Sequence, residues 1–411
     1  MSNKAKETTM KPDGKPTLTP KLRFPEFRDA AGWEMKSIGQ LGEVVTGSTP
    51  STAFPEYYGG DRLFVSPADI ADGRFIEKTK TTLSALGFRQ TRPVKANSIL
   101  FSCIGTIGKI AQNRQECATN QQINSVIPHP NISGGFAYYA LCMSVRKIAD
   151  LAGKQTIPIV NKSLFSSVEL AFPKLPEQQK LAEFLSSVDE LIYAQAQKLG
   201  ELKTHKKGLM QRFFPRDGET RPRLRFPEFQ NVGKWKEQKL GTACRMQAGK
   251  FVSASEIREQ NAEGLFPCYG GNGLRGYTTT FTHSGKYPLI GRQGALCGNM
   301  KFGIGQFHAT EHAVVVTPEK GIVVDWLFYL LDFLNLNQYA TGQAQPGLSV
   351  DVLDKVLVVI PNQEAEQQRI ADCLTSLDDL ITAQTKNLDA LKTHKKGLMQ
   401  NLFPSSEEVE A

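Results

Sequence analysis

The sequence predicts an α+β fold: two domains with small twisted sheets, separated by two long helices packed as an antiparallel coiled coil. Two observations predict it. The chain contains a long internal repeat, and the best-matched part of that repeat has helical periodicity, whereas the intervening segments have β-prone runs and turn signals. A chain of 411 residues is long enough for two or three hydrophobic cores. The repeat gives the predicted molecule a pseudo-twofold organisation.

The first part of the repeat marks the start of each half. The hexapeptide LRFPEF occurs at Leu22–Phe27 and again at Leu224–Phe229, an offset of 202 residues. Three further matches at the same offset are Trp33 with Trp235, Gly39 with Gly241 and Gly47 with Gly249. The segments between the matched ends differ in sequence. The two halves therefore share the order of their matched segments but differ in the sequence between them.

The second part of the repeat predicts one long helix in each half. Residues 177–215 and 366–404 align without a gap at an offset of 189, with 24 of 39 positions identical. Their apolar residues recur at alternating spacings of four and three over about four heptads, which indicates a coiled-coil seam. Two helices with matching seams in one chain most simply pack on each other. The residues predicted to pair the helices are Leu185, Ile192, Gln195, Leu199, Leu374, Ile381, Gln384 and Leu388.

Gln195 and Gln384 lie at the midpoints of the two seams, so pairing the helices about their centres would bring these amides close together. A polar residue in an apolar seam lowers stability but can fix the register of the pairing. Alternatively, each amide reaches solvent at the edge of its seam.

These signals predict six segments along the chain. Proline residues near the ends of the repeated segments support the helix boundaries. The segments are a flexible tail at 1–20, a first domain at 21–175, a central helix at 176–215, a second domain at 216–363, a C-terminal helix at 364–404 and an acidic tail at 405–411.

The basic residues are concentrated in the two domains. Residues 21–175 contain 18 Lys/Arg against 12 Asp/Glu, a net charge of +6, and residues 221–363 contain 15 against 11, a net charge of +4. The helical segments 177–212 and 364–404 are near neutral, at +1 and −1. Nucleic acid is the first partner to consider for such surfaces. An ordinary solvated basic surface remains the alternative.

Composition also restricts the class of protein. Apolar residues make up 40% of the chain and charged residues 22%, which is typical of a globular protein. We find no apolar run of about 18 residues and no apolar secretory signal near the N-terminus. The seven cysteines are scattered and form no Cys-x-x-Cys pair, so we predict reduced thiols and a cytoplasmic location.

Two catalytic lookalikes occur and both lack the required context. His308–His312 fits H-x-x-E-H, a zinc motif that requires a helix, but here β-prone and glycine-rich sequence surrounds it. Gly271–Gly276 fits G-x-G-x-x-G but precedes a β-prone run instead of a helix. We therefore predict no metal site, no catalytic site and no cofactor bound by this chain.

The octapeptide THKKGLMQ occurs in both helices, at Thr204–Gln211 and Thr393–Gln400. Helix pairing alone does not require identity at surface positions. The identity therefore suggests that the same partner contacts both copies. Recent duplication is the alternative, although the divergent domains argue against it.

Taken together, these features resemble the DNA-specificity subunit of a type I restriction–modification system. The resemblance extends from Lys21 to Pro404 and depends on the order and duplication of modest motifs. These are Trp33 with Ile38-Gly39, Trp235 with Leu240-Gly241, TGSTPS at Thr46–Ser51, Phe101–Lys109, YGGNG at Tyr269–Gly273, Leu289–Asn299, Ala309–Val316 and the two helices that begin with EQQ.

The resemblance implies a non-catalytic subunit with two target-recognition domains, each recognising one part of a split, asymmetric site in double-stranded DNA. Two modification subunits, which use S-adenosylmethionine to methylate adenine, would dock along the helices. Restriction subunits with motor and nuclease activity, which use ATP and Mg, would join through the complex. The alternatives are a stand-alone nuclease or metalloprotease, or a coiled-coil adaptor without DNA binding.

Candidate DNA contacts come from polar, glycine-rich loops, because Arg, Lys, Asn, Gln, Ser and Thr suit base edges and phosphates. For each of these side chains the alternative is an ordinary structural role, such as core packing or a solvated charge. In the first domain the candidates are Ser48, Thr49, Tyr57, Ser102, Thr106, Lys109, Asn120 and Gln121. In the second domain they are Lys250, Asn272, Arg292, Gln293, His308, Thr310 and Glu311.

Overall fold

The computed structural model describes residues 18–71, 73–153, 157–294, 297–342 and 346–404. The chain divides into two units, one formed by Met1–Gln197 with Lys386–Ala411 and the other by Lys198–Thr385. Each unit therefore combines one predicted domain with part of both long helices. The mixed helix-and-sheet fold predicted from the sequence is confirmed.

Among the described residues, the first unit contains three small open sheets. Their strand orders are β2-β9-β6-β7-β4, β5-β3-β8 and β1-β10. The strands are β1 Glu34–Ser37, β2 Gly42–Thr46, β3 Tyr58–Val65, β4 Phe75–Ile76, β5 Thr81–Leu83, β6 Ile99–Ser102, β7 Ile110–Asn113, β8 Ala118–Thr119, β9 Ile123–Pro128 and β10 Glu169–Phe172. The helices are α1 Ile38–Leu41, α2 Ala85–Arg89, α3 Gly134–Asp150, α4 Lys162–Ser167 and the long α5 Leu175–Phe213.

The core of the first unit forms where α3 packs against the sheets. The side chain of Ser133 caps α3 by accepting a hydrogen bond from the Phe136 amide at 3.3 Å. Phe136 and Trp33 are fully buried and contact each other with ring centroids 5.4 Å apart. Phe403, at the far end of the chain, packs on both rings at 5.3 and 5.8 Å. The C-terminal helix therefore contributes to the core of the first unit.

The second unit contains a six-stranded sheet of order β12-β17-β15-β16-β13-β14 and the antiparallel pair β11-β18. The strands are β11 Lys236–Lys239, β12 Cys244–Ala248, β13 Phe266–Gly270, β14 Gly273–Thr278, β15 His283–Gly291, β16 Met300–Ala309, β17 Ala313–Pro318 and β18 Leu357–Ile360. The helices are α6 Leu240–Ala243, α7 Val324–Phe333, α8 Val350–Leu353 and the long α9 Glu364–Leu402. Short 3-10 helices lie at Pro25–Phe27, Pro55–Tyr57, Pro227–Phe229, Ala254–Glu256 and Leu336–Tyr339.

The core of the second unit repeats the plan of the first. Trp326 in α7 is fully buried, and its ring lies 6.3 Å from Trp235 and 6.0 Å from Phe214. Phe214 follows the end of α5, so here the central helix contributes to a domain core. Each domain core thus includes the C-terminal end of one long helix.

The helix bounds differ from the predicted 176–215 and 364–404 by at most two residues. Of the predicted pairing residues, Leu185, Leu199, Leu374 and Leu388 are buried, whereas Ile192, Gln195, Ile381 and Gln384 are half-buried. Direct pairing of the two glutamines, which lie in different units, stays a prediction.

The helices run antiparallel within each unit. In the first unit, Lys395 of α9 forms an ion pair with Asp189 of α5 at 2.5 Å. Trp33 contacts both Glu177, nearer the start of α5, and Phe403, just past the end of α9. Residue numbers therefore fall along one helix as they rise along the other. In the second unit, Lys206 of α5 pairs with Asp378 of α9 at 2.7 Å.

A buried ion pair explains why LRFPEF and the EQQ segments are repeated together. Arg23 binds Glu177 through two nitrogens at 2.8 and 2.6 Å, and Arg225 binds Glu366 in the same manner at 2.7 Å for both contacts. Each arginine also donates to backbone carbonyls seven and eight residues further along the chain. Bidentate geometry of this kind gives strong, directional hydrogen bonds. The repeat therefore preserves the contact between the start of each domain and a long helix.

Leu18, which lies within the predicted N-terminal tail, packs against the first domain. Leu18 is buried and forms an antiparallel bridge with Trp33, with backbone hydrogen bonds of 3.3 and 2.7 Å. The hydrophobic effect explains this placement of an apolar side chain. The remaining tail residues 1–17 and the acidic tail 405–411 lie outside the described residues.

Across the described ranges, no helix is both long enough and apolar enough to cross a membrane. The seven cysteines, all of which lie in those ranges, are free thiols. Burial raises the pKa of the Cys103, Cys117 and Cys244 thiols to about 12. A thiol with so high a pKa is a poor nucleophile at neutral pH.

We predict that Phe403→Ala destabilises the first unit by about 3–5 kcal/mol, because it removes a ring buried against Trp33 and Phe136. Urea denaturation of the full chain, followed by tryptophan fluorescence, measures the loss. The control is Gln400→Ala, an exposed position near the end of the same helix, with an expected change within about 0.5 kcal/mol. Equal effects of the two substitutions would contradict the assignment of Phe403 to this core.

Candidate nucleic-acid interface

In the first domain, the loop after β2 lies directly against the turn between β8 and β9. A Cβ at Gly47 would lie 2.3 Å from the carbonyl oxygens of both Thr119 and Asn120, so only glycine permits this approach. The Ser48 amide donates to the Thr119 carbonyl at 2.9 Å, and the Gly47 amide donates to Ile123 at 3.1 Å. Two polar loops are thereby held together by backbone contacts.

The second domain has the same arrangement. A Cβ at Gly249 would lie 2.2 Å from the Ala309 carbonyl oxygen. The Lys250 amide donates to that carbonyl at 2.9 Å, and the Gly249 amide donates to Ala313 at 2.9 Å. Gly47 and Gly249, which match in the sequence repeat, therefore have the same structural role.

A third loop repeats the same backbone hydrogen bonds in both domains. The amides of Cys103 and Arg292 donate to the carbonyls of Gln122 and His312, at 2.7 and 2.8 Å respectively. Further along each loop, the Gly105 amide donates to the Pro158 carbonyl at 3.1 Å, and the Gly294 amide donates to the Pro346 carbonyl at 3.0 Å. The two domains thus share a loop scaffold defined by backbone contacts and differ in the side chains placed on it.

The shared hydrogen bonds also define which turn residues correspond. Asn120-Gln121-Gln122 in the first domain corresponds to Thr310-Glu311-His312 in the second. In each turn the first side chain accepts from the third backbone amide, at 3.1 Å in Asn120 and 3.3 Å in Thr310. The middle position carries an exposed amide, Gln121, in the first domain and a half-buried carboxylate, Glu311, in the second. One scaffold therefore offers different hydrogen-bonding groups to a ligand.

The structure brings four of the predicted contacts in the first domain together. Ser48, Thr49, Asn120 and Gln121 lie on the two adjoining loops, and the Thr49 hydroxyl donates to Gln121 Oε1 at 2.6 Å. Thr49 and Gln121 are exposed. Polar groups that share one surface can contact one ligand.

The other four predicted contacts of the first domain lie elsewhere. Ser102 is buried, and its hydroxyl contacts the Thr106 carbonyl and the Lys109 amide, so it stabilises its own loop. Lys109 donates to the Pro67 carbonyl at 2.8 Å, whereas Thr106 is exposed at the loop tip. Tyr57 is half-buried beside Phe54. Contact of these residues with DNA stays a prediction, and the inward direction of Ser102 favours a structural role.

In the second domain, two predicted contacts are buried. The His308 ring is held by the Thr280 hydroxyl at Nδ1, 3.0 Å away, and by the Lys250 carbonyl at Nε2, 3.1 Å away. Thr310 is fully buried in its turn. These side chains position Lys250 and the turn instead of projecting from the surface.

The remaining predicted contacts of the second domain lie nearer the surface. Lys250, Asn272 and Gln293 are exposed, whereas Arg292 is half-buried with Nε donating to the Leu348 carbonyl at 3.2 Å. Glu311 is about one-third exposed, and its Oε1 lies 3.3 Å from His312 Nε2. Three loops meet here, because a Cβ at Gly271 would lie within 3.3 Å of both the His312 and Gln293 carbonyl oxygens.

Burial and charge also affect a histidine beneath this surface. His283 stacks on Phe307 with ring centroids 5.5 Å apart. Burial lowers the pKa of His283, and the charges of Lys250 and His308 lower it further. A neutral imidazole is therefore favoured near neutral pH, which suits a packing role.

Three polar residues on this scaffold were not among the predicted contacts. Gln122 and His312 end the two corresponding turns, and Arg275 lies on the hairpin beside them, since a Cβ at Gly270 would be 3.7 Å from both Arg275 Cδ and Thr310 Oγ1. Aligning the turns across the repeat would have identified the first two. Arg275 could be found only once the hairpin was placed next to the turn.

The segment His308–His312 spans the end of β16 and a turn, as the sequence context predicts, and not the helix that the zinc motif requires. Within the described ranges, no group of three or more His, Cys, Asp or Glu side chains is placed to hold a metal ion.

The repeated THKKGLMQ segments serve two purposes in the structure. Lys206 and Lys395 form the interhelical ion pairs and also lie over the rings of Tyr329 and Tyr139, while Met210 and Met399 are buried. Their identity is therefore explained by packing. The identical positions that remain exposed are Thr204, His205, Lys207 and Gln211 in α5 and Thr393, His394, Lys396 and Gln400 in α9.

Comparison with known proteins identifies relatives of the whole chain. Residues 31–204 and 233–393 match the family described as the type I restriction modification DNA specificity domain. The chain is 33% identical over 379 residues to the type I restriction enzyme EcoprrI specificity subunit of Escherichia coli, covering 88% of this chain and 91% of that protein. It is 24% identical over 412 residues to the MjaVIII specificity subunit of Methanocaldococcus jannaschii, covering 93% of each chain.

Solved structures show the same fold at lower identity. The S subunit of a type I restriction–modification system from M. genitalium superposes with a TM-score of 0.66 at 19% identity, covering 94% of this chain and 100% of that one. A chain from a structural study of complex assembly and conformational transition of the type I R-M system superposes with a TM-score of 0.53 at 17% identity. The match covers 91% of this chain and 98% of that one.

We predict that Gly249→Ala destabilises the second unit by about 1–3 kcal/mol or more, because its Cβ would overlap the Ala309 carbonyl and separate the loops. Urea denaturation measures the change. Gly233→Ala is the matched control, since a Cβ there meets open space, and we expect a change within about 0.5 kcal/mol. A neutral result at Gly249 would contradict the close backbone approach on which the shared scaffold depends.

Proposed function

This chain belongs to the type I restriction–modification DNA specificity family, and from that premise we propose that its two domains each recognise one part of a split, asymmetric DNA site. The observation that carries the proposal is the shared loop scaffold with different side chains. A common scaffold suits a common kind of ligand, whereas an amide turn in one domain and a carboxylate turn in the other suit different bases.

Charge supports double-stranded DNA as the ligand. The net charges of +6 and +4 lie in the two domains, and the two long helices are near neutral. Basic surfaces gain affinity for DNA by releasing counterions from phosphates. Lys250 and Arg275 are exposed on or beside the loop scaffold of the second domain, where they would contact phosphates next to the bases.

We also propose that two modification subunits dock on the helices, one on each exposed copy of the repeated segment, and methylate adenine. Restriction subunits would join through the complex. S-adenosylmethionine, ATP and Mg would be used by those partners and not by this chain. The support is the identity of exposed residues that helix packing does not explain, such as His205 with His394 and Lys207 with Lys396.

A non-catalytic role in the cytoplasm fits the chemistry of the side chains. The candidate contacts act as hydrogen-bond donors and acceptors on held loops, and the buried thiols with raised pKa are poor nucleophiles. Seven free cysteines suit a reducing compartment. The competing functions are a stand-alone nuclease or metalloprotease, which metal-dependent cleavage by the isolated chain would favour, and a coiled-coil adaptor, which would bind no DNA.

Exchanging residues 21–175 for the corresponding domain of another family member should change the sequence preference of one half-site only. Each domain has its own loop scaffold, so the sequence preference for the second half-site should be unchanged. Binding of the chain with its modification subunits to randomised duplexes, followed by sequencing of the bound fraction, measures both preferences. A change in both half-sites would contradict independent recognition, and binding without any sequence preference would contradict the proposed function.

Lys207→Glu should reduce the number of bound modification subunits from two to one, and combining it with Lys396→Glu should abolish docking. The substitutions reverse the charge of exposed residues that occur in both copies. Native mass spectrometry of the assembled complex counts the subunits. Lys198→Glu is the control, because Lys198 is exposed on the same helix but corresponds to Asn387 in the other copy. Unchanged stoichiometry in the double variant would contradict this docking surface.

A further inference from the structure

Phe251 lies on the loop scaffold of the second domain and is 76% exposed, the largest exposed fraction of any large hydrophobic residue in the described ranges. It directly follows Lys250, which is also exposed. Leaving a phenyl ring in water is unfavourable. Its position on the candidate interface therefore points to a function in binding.

The backbone on either side of Phe251 is held firmly. The Lys250 amide donates to the Ala309 carbonyl at 2.9 Å, and the Lys250 carbonyl accepts from His308 Nε2 at 3.1 Å. On the other side, the Val252 side chain is buried. The ring thus projects from a short fixed segment, which lowers the entropy that binding would cost.

The shared scaffold does not itself require a ring at this position. The hydrogen bond from the Lys250 amide to the Ala309 carbonyl corresponds to the one from the Ser48 amide to the Thr119 carbonyl. Phe251 therefore occupies the position of Thr49 in the first domain. There the Thr49 hydroxyl donates to Gln121 within its own domain. The ring is therefore particular to the second domain, which suits a target-specific function.

We propose that Phe251 inserts its ring into the base stack of the half-site bound by the second domain, while Lys250 contacts a neighbouring phosphate. The inference rests on the proposed function. Apolar side chains inserted between base pairs unstack one step and bend the duplex. Pyrimidine–purine steps unstack most easily, so the half-site should contain a TA or CA/TG step at the point of insertion.

Permanganate footprinting tests insertion, because permanganate oxidises unstacked thymines and each TA or CA/TG step contains at least one thymine. The full chain with its modification subunits is bound to a duplex that carries the methylated site of the host strain. We expect one thymine step in the half-site of the second domain whose reactivity requires Phe251, in addition to any thymine left unpaired where a modification subunit extrudes its target adenine. Phe251→Thr and Phe251→Ala should abolish that reactivity and weaken binding about tenfold, as expected for loss of a stacked aromatic ring. Phe251→Leu should retain part of the reactivity.

The matched control is Phe54→Ala, which removes an exposed ring from the first domain and should leave the reactive thymine of the other half-site unchanged. Sequence-specific binding by the wild type without a reactive thymine in that half-site would overturn insertion while leaving the proposed function intact. Unchanged affinity and an unchanged footprint in Phe251→Ala would also overturn insertion. Absence of any sequence preference in the wild type would contradict the proposed function and this inference with it.

Discussion

Each unit depends on a buried arginine–carboxylate pair that joins the start of a domain to a long helix. Burying two charges is costly, and here bidentate geometry and additional carbonyl acceptors offset that cost for both Arg23–Glu177 and Arg225–Glu366. In the first unit, Trp33 also donates to Glu177 at 3.2 Å, so the ion pair and the aromatic core share one carboxylate. The aromatic core of the first domain therefore forms beside this ion pair.

The two domains hold the same loop scaffold in position through backbone hydrogen bonds. In each domain a glycine permits close approach of two loops. Because the backbone supplies the contacts, the side chains on the loops can differ without loss of the scaffold. Thr49 with Gln121 in one domain and Phe251 with Glu311 in the other illustrate the result. The separation of a constant framework from variable polar groups is what the proposed recognition of two different DNA half-sites requires.

The sequence predicted the helices, their seam and the repeated plan, because periodicity and internal identity are direct signatures of these features. It did not predict which polar residues face outward. Ser102, His308 and Thr310 belong to types that suit DNA contacts, yet their side chains turn into the domain. Ser102 and Thr310 hold their own loop and turn, whereas His308 joins Lys250 and Thr280, which are distant from it in sequence. The identity of Lys206 and Lys395 suggested a partner, but their ion pairs became visible only when the helices were paired. The candidate contacts themselves remain predictions.

The proposed function requires that one scaffold, used twice with different side chains, recognises a split asymmetric DNA site. Methylome sequencing of the host strain, with and without this chain, tests this requirement. We expect adenine methylation within a motif of two unlike specific parts separated by a nonspecific spacer, and loss of that methylation when the chain is removed. A continuous or palindromic motif, or methylation that persists without the chain, would contradict it.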